Sequence, residues 1–132
     1  MSNQGANHYK QVAVKTANRG QLLIMLYEAA IQNLKKAQDA LNRKDLSAKG
    51  TAIGKAHDIV NELMNTLDFD VGGQIAIDLE RLYYFISEQL MKANAENSKP
   101  PIEVAEKILT TLLVGWKQAI EQVNKGDSGV QK

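Results

Sequence analysis

Apolar residues recur along the chain at the three- and four-residue intervals that are typical of amphipathic helices. The pattern predicts four helices and contains no convincing strand alternation. Asn18 is a predicted N-cap for the first helix, which ends at the break over residues 42–45. The second helix ends near Leu67, the third begins at or just after Gly73, and the fourth ends at Gly126.

Each predicted helix carries one main apolar stripe. The stripes are Leu23, Leu26, Ala30, Leu34, Ala37 and Leu41; Ile53, Ala56, Val60, Leu63 and Leu67; Ile75, Leu79, Leu82, Ile86 and Leu90; and Ile102, Ala105, Leu109, Leu112, Trp116, Ala119 and Val123. Short connections make successive helices antiparallel, so we predict an all-α, antiparallel up-and-down four-helix bundle. Trp116 lies centrally on the last stripe, and we expect it to be largely buried against the first and third helices.

The bundle is predicted to occupy residues 16–125. Residues 1–15 are mostly polar and show no stripe, which predicts a flexible N-terminal arm. Residues 126–132 are polar and are predicted to form a disordered tail.

Two helices carry more apolar residues than a single stripe needs. The additional residues are Leu22, Ile24, Met25 and Ile31 in the first helix and Ile77, Tyr84 and Phe85 in the third. Either the arm covers these residues or they form an exposed patch for a partner. A partner helix that lies in a groove between bundle helices is one physical solution.

Two glycine-containing segments can be compared with phosphate-binding loops. The segment GTAIGKA, residues 50–56, has three residues between its glycines where a P-loop has four, and Ala56 replaces the required Ser or Thr. Gly72 and Gly73 favour a turn between helices, in which we expect Gly72 to take positive φ.

The composition argues against metal binding and catalysis. The chain has no cysteine, and neither His8 nor His57 follows a glutamate at the spacing that metal sites in bundles use. Asp68 and Asp70 lack the further oxygen ligands of a calcium loop. We therefore predict no metal, no cofactor and no enzymatic activity.

The charge and the apolar content also restrict the partners. Lys plus Arg is 16 and Asp plus Glu is 15, so the net charge of +1 disfavours a nucleic-acid binder. The apolar segment LLIMLYEAAI, residues 22–31, is interrupted by Glu28 and is too short to cross a bilayer. We expect a soluble, cytoplasmic protein without membrane insertion.

Three blocks of the sequence together resemble the flagellar export chaperone FliS family. The first block, YKQVAVKTANRGQLLIMLYEAAIQNL, matches at Tyr9, Thr16, Ala17, Leu22, Met25, Leu26, Tyr27, Ala30, Ile31 and Leu34. The second, ELMNTLDFDVGGQIAIDLERLYYFI, matches at Leu63, Leu67, Asp68, Gly72, Gly73, Ile75, Ala76, Leu79, Leu82 and Tyr83. The third is WKQAI, residues 116–120. Ala29 and Asn33 depart from the pattern, because the family often has glycine and an aromatic residue at these positions.

The resemblance implies a cytoplasmic bundle that binds the disordered C-terminal segment of flagellin. It also implies that the protein keeps flagellin from polymerising early and helps to present it to the flagellar type III export gate. The implied partners are therefore flagellin and the cytoplasmic part of the export gate. The expected contact residues are Tyr9, Val12, Val14, Leu22, Met25, Leu26, Tyr27, Ile31, Leu34, Ile75, Leu79, Leu82, Tyr83 and Ile86.

Two further hypotheses concern the arm and the alternative function. We expect the arm to lie across part of the apolar surface of the first helix until flagellin displaces it. The alternative is a structural or self-associating helical bundle without a flagellin client. Size-exclusion measurements with and without a flagellin peptide separate the chaperone from this alternative.

Overall fold

The structure, a computed structural model, describes the backbone of residues 19–130 and the side chains of residues 19–125. Its helices are α1 (Arg19–Asn42), α2 (Leu46–Asn65), α3 (Phe69–Gly72), α4 (Gln74–Glu96) and α5 (Lys99–Val130). No strand occurs between residues 19 and 130. The predicted all-α class is confirmed. The predicted arm and the predicted N-cap Asn18 lie outside the described residues.

The four long helices form a bundle in which α1 and α4 lie diagonally opposite each other. Helix α1 packs against α2 and α5, and α4 packs against the same two helices. Lys117 of α5 lies 3.7 Å from Glu28 near the start of α1, and Lys99 at the start of α5 donates a hydrogen bond to Asn42 at the end of α1. These contacts require α1 and α5 to run antiparallel, as the up-and-down arrangement predicts.

Local sequence accounts for the ends of the helices. The Asp45 carboxylate caps α2 by accepting a 3.0 Å hydrogen bond from the backbone N–H of Ala48. Asn97 ends α4 in the left-handed conformation, with φ of 51°. Pro100 and Pro101 then fall in the first turn of α5, where a missing backbone N–H removes no helical hydrogen bond.

The segment around the two glycines differs from the predicted simple turn. Asp68 starts the short helix α3, because its carboxylate accepts hydrogen bonds from the N–H groups of Asp70 and Val71. Gly72 belongs to this helix, so Gly73 becomes the joint before α4 and takes the positive φ of 52°. The assignment of positive φ to Gly72 was therefore wrong by one residue.

The last helix is longer than predicted. Helix α5 continues through Gly126 to Val130, so the predicted helix end at Gly126 is wrong, and the predicted disordered tail overlaps the helix. A glycine inside a helix costs only about 1 kcal/mol relative to alanine, and no proline follows Gly126 to stop the helix.

Two stripe residues near the end of α5 are exposed instead of buried. Ala119 and Val123 were predicted to face the core, but both side chains are open to solvent. Gly20, at the start of the described part of α1, lies against Ile120. Among the described residues, no helix therefore extends far enough to cover Val123.

The core fills the space between the four long helices and contains most of the predicted stripes. Its largest fully buried side chains are Tyr27, Leu34, Val60, Leu63, Tyr83, Ile86, Leu90, Ile102 and Leu109. Ile24 and Ile31, which the sequence suggested as surplus, are also buried. The apolar face at the start of α1 is wide because the helix packs against two neighbours there.

A buried lysine ties α2 to the end of α4. The Lys49 ammonium donates hydrogen bonds to the Asn94 carbonyl at 3.0 Å and to Asn97 Oδ1 at 2.7 Å. A cation is favourable at this position because the last carbonyls of a helix carry partial negative charge. The contact holds the far end of the bundle together, away from the end where α1 and α4 begin.

Candidate functional site

An apolar groove opens at the end of the bundle where α1 and α4 begin. Its volume is about 610 Å³, which is in the range that accommodates several side chains of a bound peptide. The lining residues are Arg19, Leu22, Leu23, Leu26, Thr66, Leu67, Asp68, Val71, Gly72, Ile75, Ala76, Leu79, Tyr83 and Trp116.

The groove lies where the backbones of the diagonal helices α1 and α4 stay apart from each other. At this end the chain leaves α2, passes through α3 and enters α4, and the side chains of these segments line one wall. Val71 is 87% exposed and Ile75 is 67% exposed. Large exposed apolar side chains beside a groove are typical of a surface that binds a partner.

The polar groups of the groove are largely occupied by local hydrogen bonds. The Asp68 carboxylate caps α3, and the Thr66 hydroxyl donates to the Leu63 carbonyl at 2.6 Å. Leucine, isoleucine and valine side chains supply most of the remaining lining. Binding in this groove therefore depends mainly on the burial of apolar surface.

A buried tyrosine pair, of which Tyr83 is itself a lining residue, joins α1 to α4 across the bundle. The hydroxyl oxygens of Tyr27 and Tyr83 are 2.5 Å apart, and the ring centroids are 6.5 Å apart. Burial raises the pKa of both phenols, and the hydrogen bond between them partly offsets this effect for Tyr27. The pair therefore stays neutral at physiological pH and places no charge beneath an apolar ligand.

Trp116 packs against the core and is partly buried. It lines the groove, where no helix covers it. Its indole N–H is buried and makes no hydrogen bond of good geometry with a described residue.

We expect Trp116→Ala to lower the free energy of unfolding by about 2–3 kcal/mol, less than the roughly 3–5 kcal/mol of a fully buried aromatic residue. The reason is that the groove side of the ring makes no packing contacts to lose. Urea denaturation followed by circular dichroism measures the change, with Trp116→Phe as the conservative control. A loss below about 1 kcal/mol would contradict the packing of Trp116 against the core.

Part of the predicted contact set is brought together in the groove. These residues are Leu22, Leu26, Ile75, Leu79 and Tyr83. Ile75 was also predicted to belong to the core stripe of its helix, and its high exposure corrects that assignment. In the first turn of α4 the stripe faces the open groove, because no helix lies opposite.

The other predicted contact residues lie elsewhere. The core contains Tyr27, Ile31, Leu34 and Ile86, whose buried side chains do not line the groove. Met25 is exposed and Leu82 is half-buried, but neither lines the groove. Tyr9, Val12 and Val14 lie outside the described residues.

Several groove residues were absent from the predicted contact set. Leu23, Leu67 and Trp116 lie on predicted stripes, so periodicity assigned them to the core. Val71 belongs to no stripe and carried no signal of its own. The block that resembles the FliS family includes the junction between α2 and α4, and this junction is the signal that points to the wall of the groove.

The structure also bears on the phosphate-binding loop, the metal site and the membrane span that the sequence analysis considered. Residues 50–56 lie inside the continuous helix α2 and therefore form no phosphate-binding loop. No group of three or more His, Asp or Glu side chains among the described residues could hold a metal ion. Of the helices described, none combines the length and the apolar content needed to cross a membrane.

Comparison with known proteins gives a consistent family match. The family model for the flagellar protein FliS matches residues 1–123. The chain is 38% identical over 119 residues to the flagellar secretion chaperone FliS of Salmonella typhimurium, with 86% of this chain and 88% of the relative covered. It is 29% identical over 121 residues to that of Bacillus subtilis, with 92% and 90% covered. A crystal structure of a flagellar chaperone from bacteria superposes with a TM-score of 0.75 at 25% identity, covering 92% of this chain and 99% of that chain.

Proposed function

The chain belongs to the FliS family of flagellar proteins, and we propose that it is an export chaperone specific for flagellin. In this proposal it binds the disordered C-terminal segment of flagellin in the cytoplasm and prevents premature polymerisation. It then assists delivery of flagellin to the cytoplasmic part of the flagellar type III export apparatus. The proposal gives the chain no enzymatic activity and no cofactor.

The observation that carries the proposal is the apolar groove with its exposed wall. A segment that polymerises in a filament has apolar positions that self-associate when they are free. Val71 and Ile75 offer exposed apolar surface to such a segment, and Leu22, Leu26 and Leu79 extend this surface into the bundle. The groove can therefore hold the segment in extended or helical pieces and withhold it from other flagellin molecules.

The energetics set a minimum size for this contact. Ordering a disordered segment costs roughly 2–5 kcal/mol, and burial of apolar surface returns about 25 cal/mol per Å², so about 200 Å² offsets the upper figure. The loss of translational and rotational freedom costs at least several kcal/mol more. A stable complex therefore needs several hundred Å² of apolar contact, which implies that flagellin contacts surface beyond the groove as well.

Calorimetric titration with two synthetic flagellin segments tests the proposal. The C-terminal segment should bind with one-to-one stoichiometry and a negative heat-capacity change, which is the signature of apolar burial. A segment of equal length from the central part of flagellin is the control and should not bind. Equal affinity for both segments, or binding of neither, would contradict a flagellin-specific chaperone.

The N-terminal arm is expected to compete with flagellin for the groove. Arg19, the first of the described residues, lines the groove. Deleting residues 1–15 should leave the bundle folded, because none of the predicted apolar stripes loses a residue. It should raise the binding of an apolar dye and leave flagellin affinity unchanged or up to about threefold higher, since the competition is removed.

Calorimetry on the intact and truncated proteins with the same flagellin segment measures the effect of the arm. Loss of binding with a native circular dichroism spectrum would make the arm a part of the site. Unchanged dye binding and unchanged affinity would show that the arm does not occupy the groove.

A further inference from the structure

A polar cleft lies between α1 and α2, toward the end of the bundle where these two helices are connected. Its volume is about 300 Å³, and the cations that line it are Lys36 and Arg43 of α1 and Lys55 of α2. Ala48 and Ala52 of α2 also line it, and their small side chains leave room for a bound chain beside the helix. We call this surface the basic cleft.

The charges of the chain are unevenly distributed, and an excess of positive charge surrounds the basic cleft. Residues 29–57 hold six lysine and arginine residues against two aspartates and no glutamate, which gives a net charge of +4. The whole chain has 16 basic and 15 acidic residues, so the remainder has 10 and 13 and a net charge of −3. Of the six cations, all except Lys49 are exposed. The nearly neutral chain therefore has a local positive potential that attracts anionic groups.

Two of the three cations that line the basic cleft are available to a ligand. Arg43 lies 3.0 Å from the Asp39 carboxylate and 3.6 Å from the Asp45 carboxylate, so its guanidinium already has two acidic partners. The Lys36 and Lys55 ammonium groups make no ion pair and no side-chain hydrogen bond with any residue between 19 and 125. The cleft thus presents one unpaired ammonium group from each of its two helices.

The neutral polar groups of the basic cleft favour a peptide over a phosphate group. The Asn33 side chain donates a hydrogen bond from its nitrogen to the Ala29 carbonyl at 2.9 Å, so its oxygen remains as an acceptor. A peptide N–H can donate to this oxygen, whereas the oxygens of an ionised phosphate only accept. The Thr51 hydroxyl also lines the cleft and can donate to a peptide carbonyl.

The lining also argues against a nucleic acid or a membrane as the ligand. Asp39 lies in the cleft and Asp45 lies beside Arg43, and both carboxylates would repel a continuous row of phosphates. No large apolar side chain lines the cleft, so it offers no anchor that could enter a lipid bilayer. A protein segment with a few separate carboxylates avoids both difficulties.

We infer that the basic cleft binds an acidic segment of a second protein partner. Lys36 and Lys55 each bind one carboxylate of this segment, and Asn33 accepts a hydrogen bond from its backbone. The cleft begins at Asn33, about 10.5 Å along α1 from Leu26, the last residue of α1 that lines the apolar groove. The cleft and the groove share no lining residue, so both can be occupied at the same time. The inference does not depend on which ligand the groove binds.

An NMR titration of the isotopically labelled full chain tests the inference. The probe is a short synthetic peptide in which serine and glycine separate several glutamates, and the control peptide has glutamine in place of each glutamate. Backbone amide signals of residues 33–43 and 48–55 should shift with the glutamate peptide and stay unchanged with the control. Because exposed ion pairs contribute little, we expect a Kd of about 0.1–1 mM at low ionic strength. Raising the salt from about 0.02 M to about 0.2 M should weaken binding at least about fivefold.

Two double variants of equal charge locate the contact. Lys36→Gln combined with Lys55→Gln should weaken binding of the glutamate peptide by about 5- to 30-fold, since it removes both ion pairs. Lys92→Gln combined with Lys107→Gln is the matched control, because it removes the same charge from two exposed lysines outside the cleft. The control should keep the affinity of the unmodified chain.

The inference is overturned if the glutamate peptide shifts no signals of the cleft, or if both double variants weaken its binding equally. It is also overturned if inorganic phosphate, a short DNA duplex or phosphatidylserine vesicles shift the same signals more strongly than the peptide does. The cleft would then be a general phosphate site. A flagellin C-terminal segment that shifts these signals and binds more weakly to the Lys36→Gln, Lys55→Gln variant would make the cleft part of the client site and overturn a second partner. Ile75→Asp in the groove should leave binding of the glutamate peptide unchanged.

Discussion

Replacing Ile75 with aspartate should lower the affinity for the flagellin C-terminal segment by at least about 100-fold, or roughly 2.7 kcal/mol. Ile75 lies in the groove and is largely exposed, so a ligand that fills the groove must cover it. An aspartate there would lose its hydration without gaining a partner, which is a large cost for a carboxylate.

The position of Ile75 also explains why we expect Ile75→Asp to leave the stability of the folded protein nearly unchanged. It lies in the first turn of α4, where a negative charge interacts favourably with the helix dipole. We therefore expect the free energy of unfolding to change by no more than about 0.5 kcal/mol. A loss of binding would then report on the groove and not on unfolding.

Titration calorimetry with one flagellin segment measures the effect, and Val104→Asp is the matched control. Val104 is also exposed in the first part of its helix, α5, but does not line the groove. The control should retain the affinity of the unmodified chain, as should the conservative variant Ile75→Leu. Unchanged binding by Ile75→Asp would place the flagellin site elsewhere on the bundle.

The helices and their order could be predicted because they depend on local sequence. Apolar spacing determines which face of each helix is buried, and Asp45 and Pro100 mark where helices begin. Short connections then leave little choice but antiparallel neighbours. These features agree with the structure because the local preferences and the tertiary packing favour the same conformation.

The burial of each side chain could not be predicted from the spacing of apolar residues. Ile75 and Ile86 occupy one stripe on α4, yet Ile86 is fully buried while Ile75 faces the groove. The difference comes from what lies opposite each residue, which depends on the diagonal placement of α1 and α4. Periodicity identifies a helix face but contains no information about the elements that cover it. Residues that a partner would cover therefore look like core residues in the sequence.

The joint between α2 and α4 shows a second limit of prediction from the sequence. Both Gly72 and Gly73 can adopt positive φ, so composition alone does not decide which of them forms the joint. The Asp68 side chain decides it by capping a short helix that extends through Gly72. A side chain–backbone contact thus shifts the turn by one residue, and this short helix also supplies part of the groove wall.

The second large expected effect is on stability, and it distinguishes the adjacent residues Tyr83 and Tyr84 of α4. Tyr83→Ala should lower the free energy of unfolding by about 3–5 kcal/mol, because Tyr83 is only 1% exposed and its loss creates a core cavity. It also removes the hydrogen-bond partner of the buried Tyr27 hydroxyl. Tyr84→Ala should cost less than about 1 kcal/mol, since the Tyr84 side chain lies mostly in solvent.

Urea denaturation of both variants, followed by circular dichroism, measures the two effects. Tyr83→Phe separates packing from hydrogen bonding, because it keeps the ring and should cost about 1–3 kcal/mol for the buried hydroxyl left without a partner. A larger loss for Tyr84→Ala than for Tyr83→Ala would mean that α4 is rotated by about 100°, the angle between successive residues. Tyr83 and Tyr84 would then both be assigned to the wrong faces of the helix.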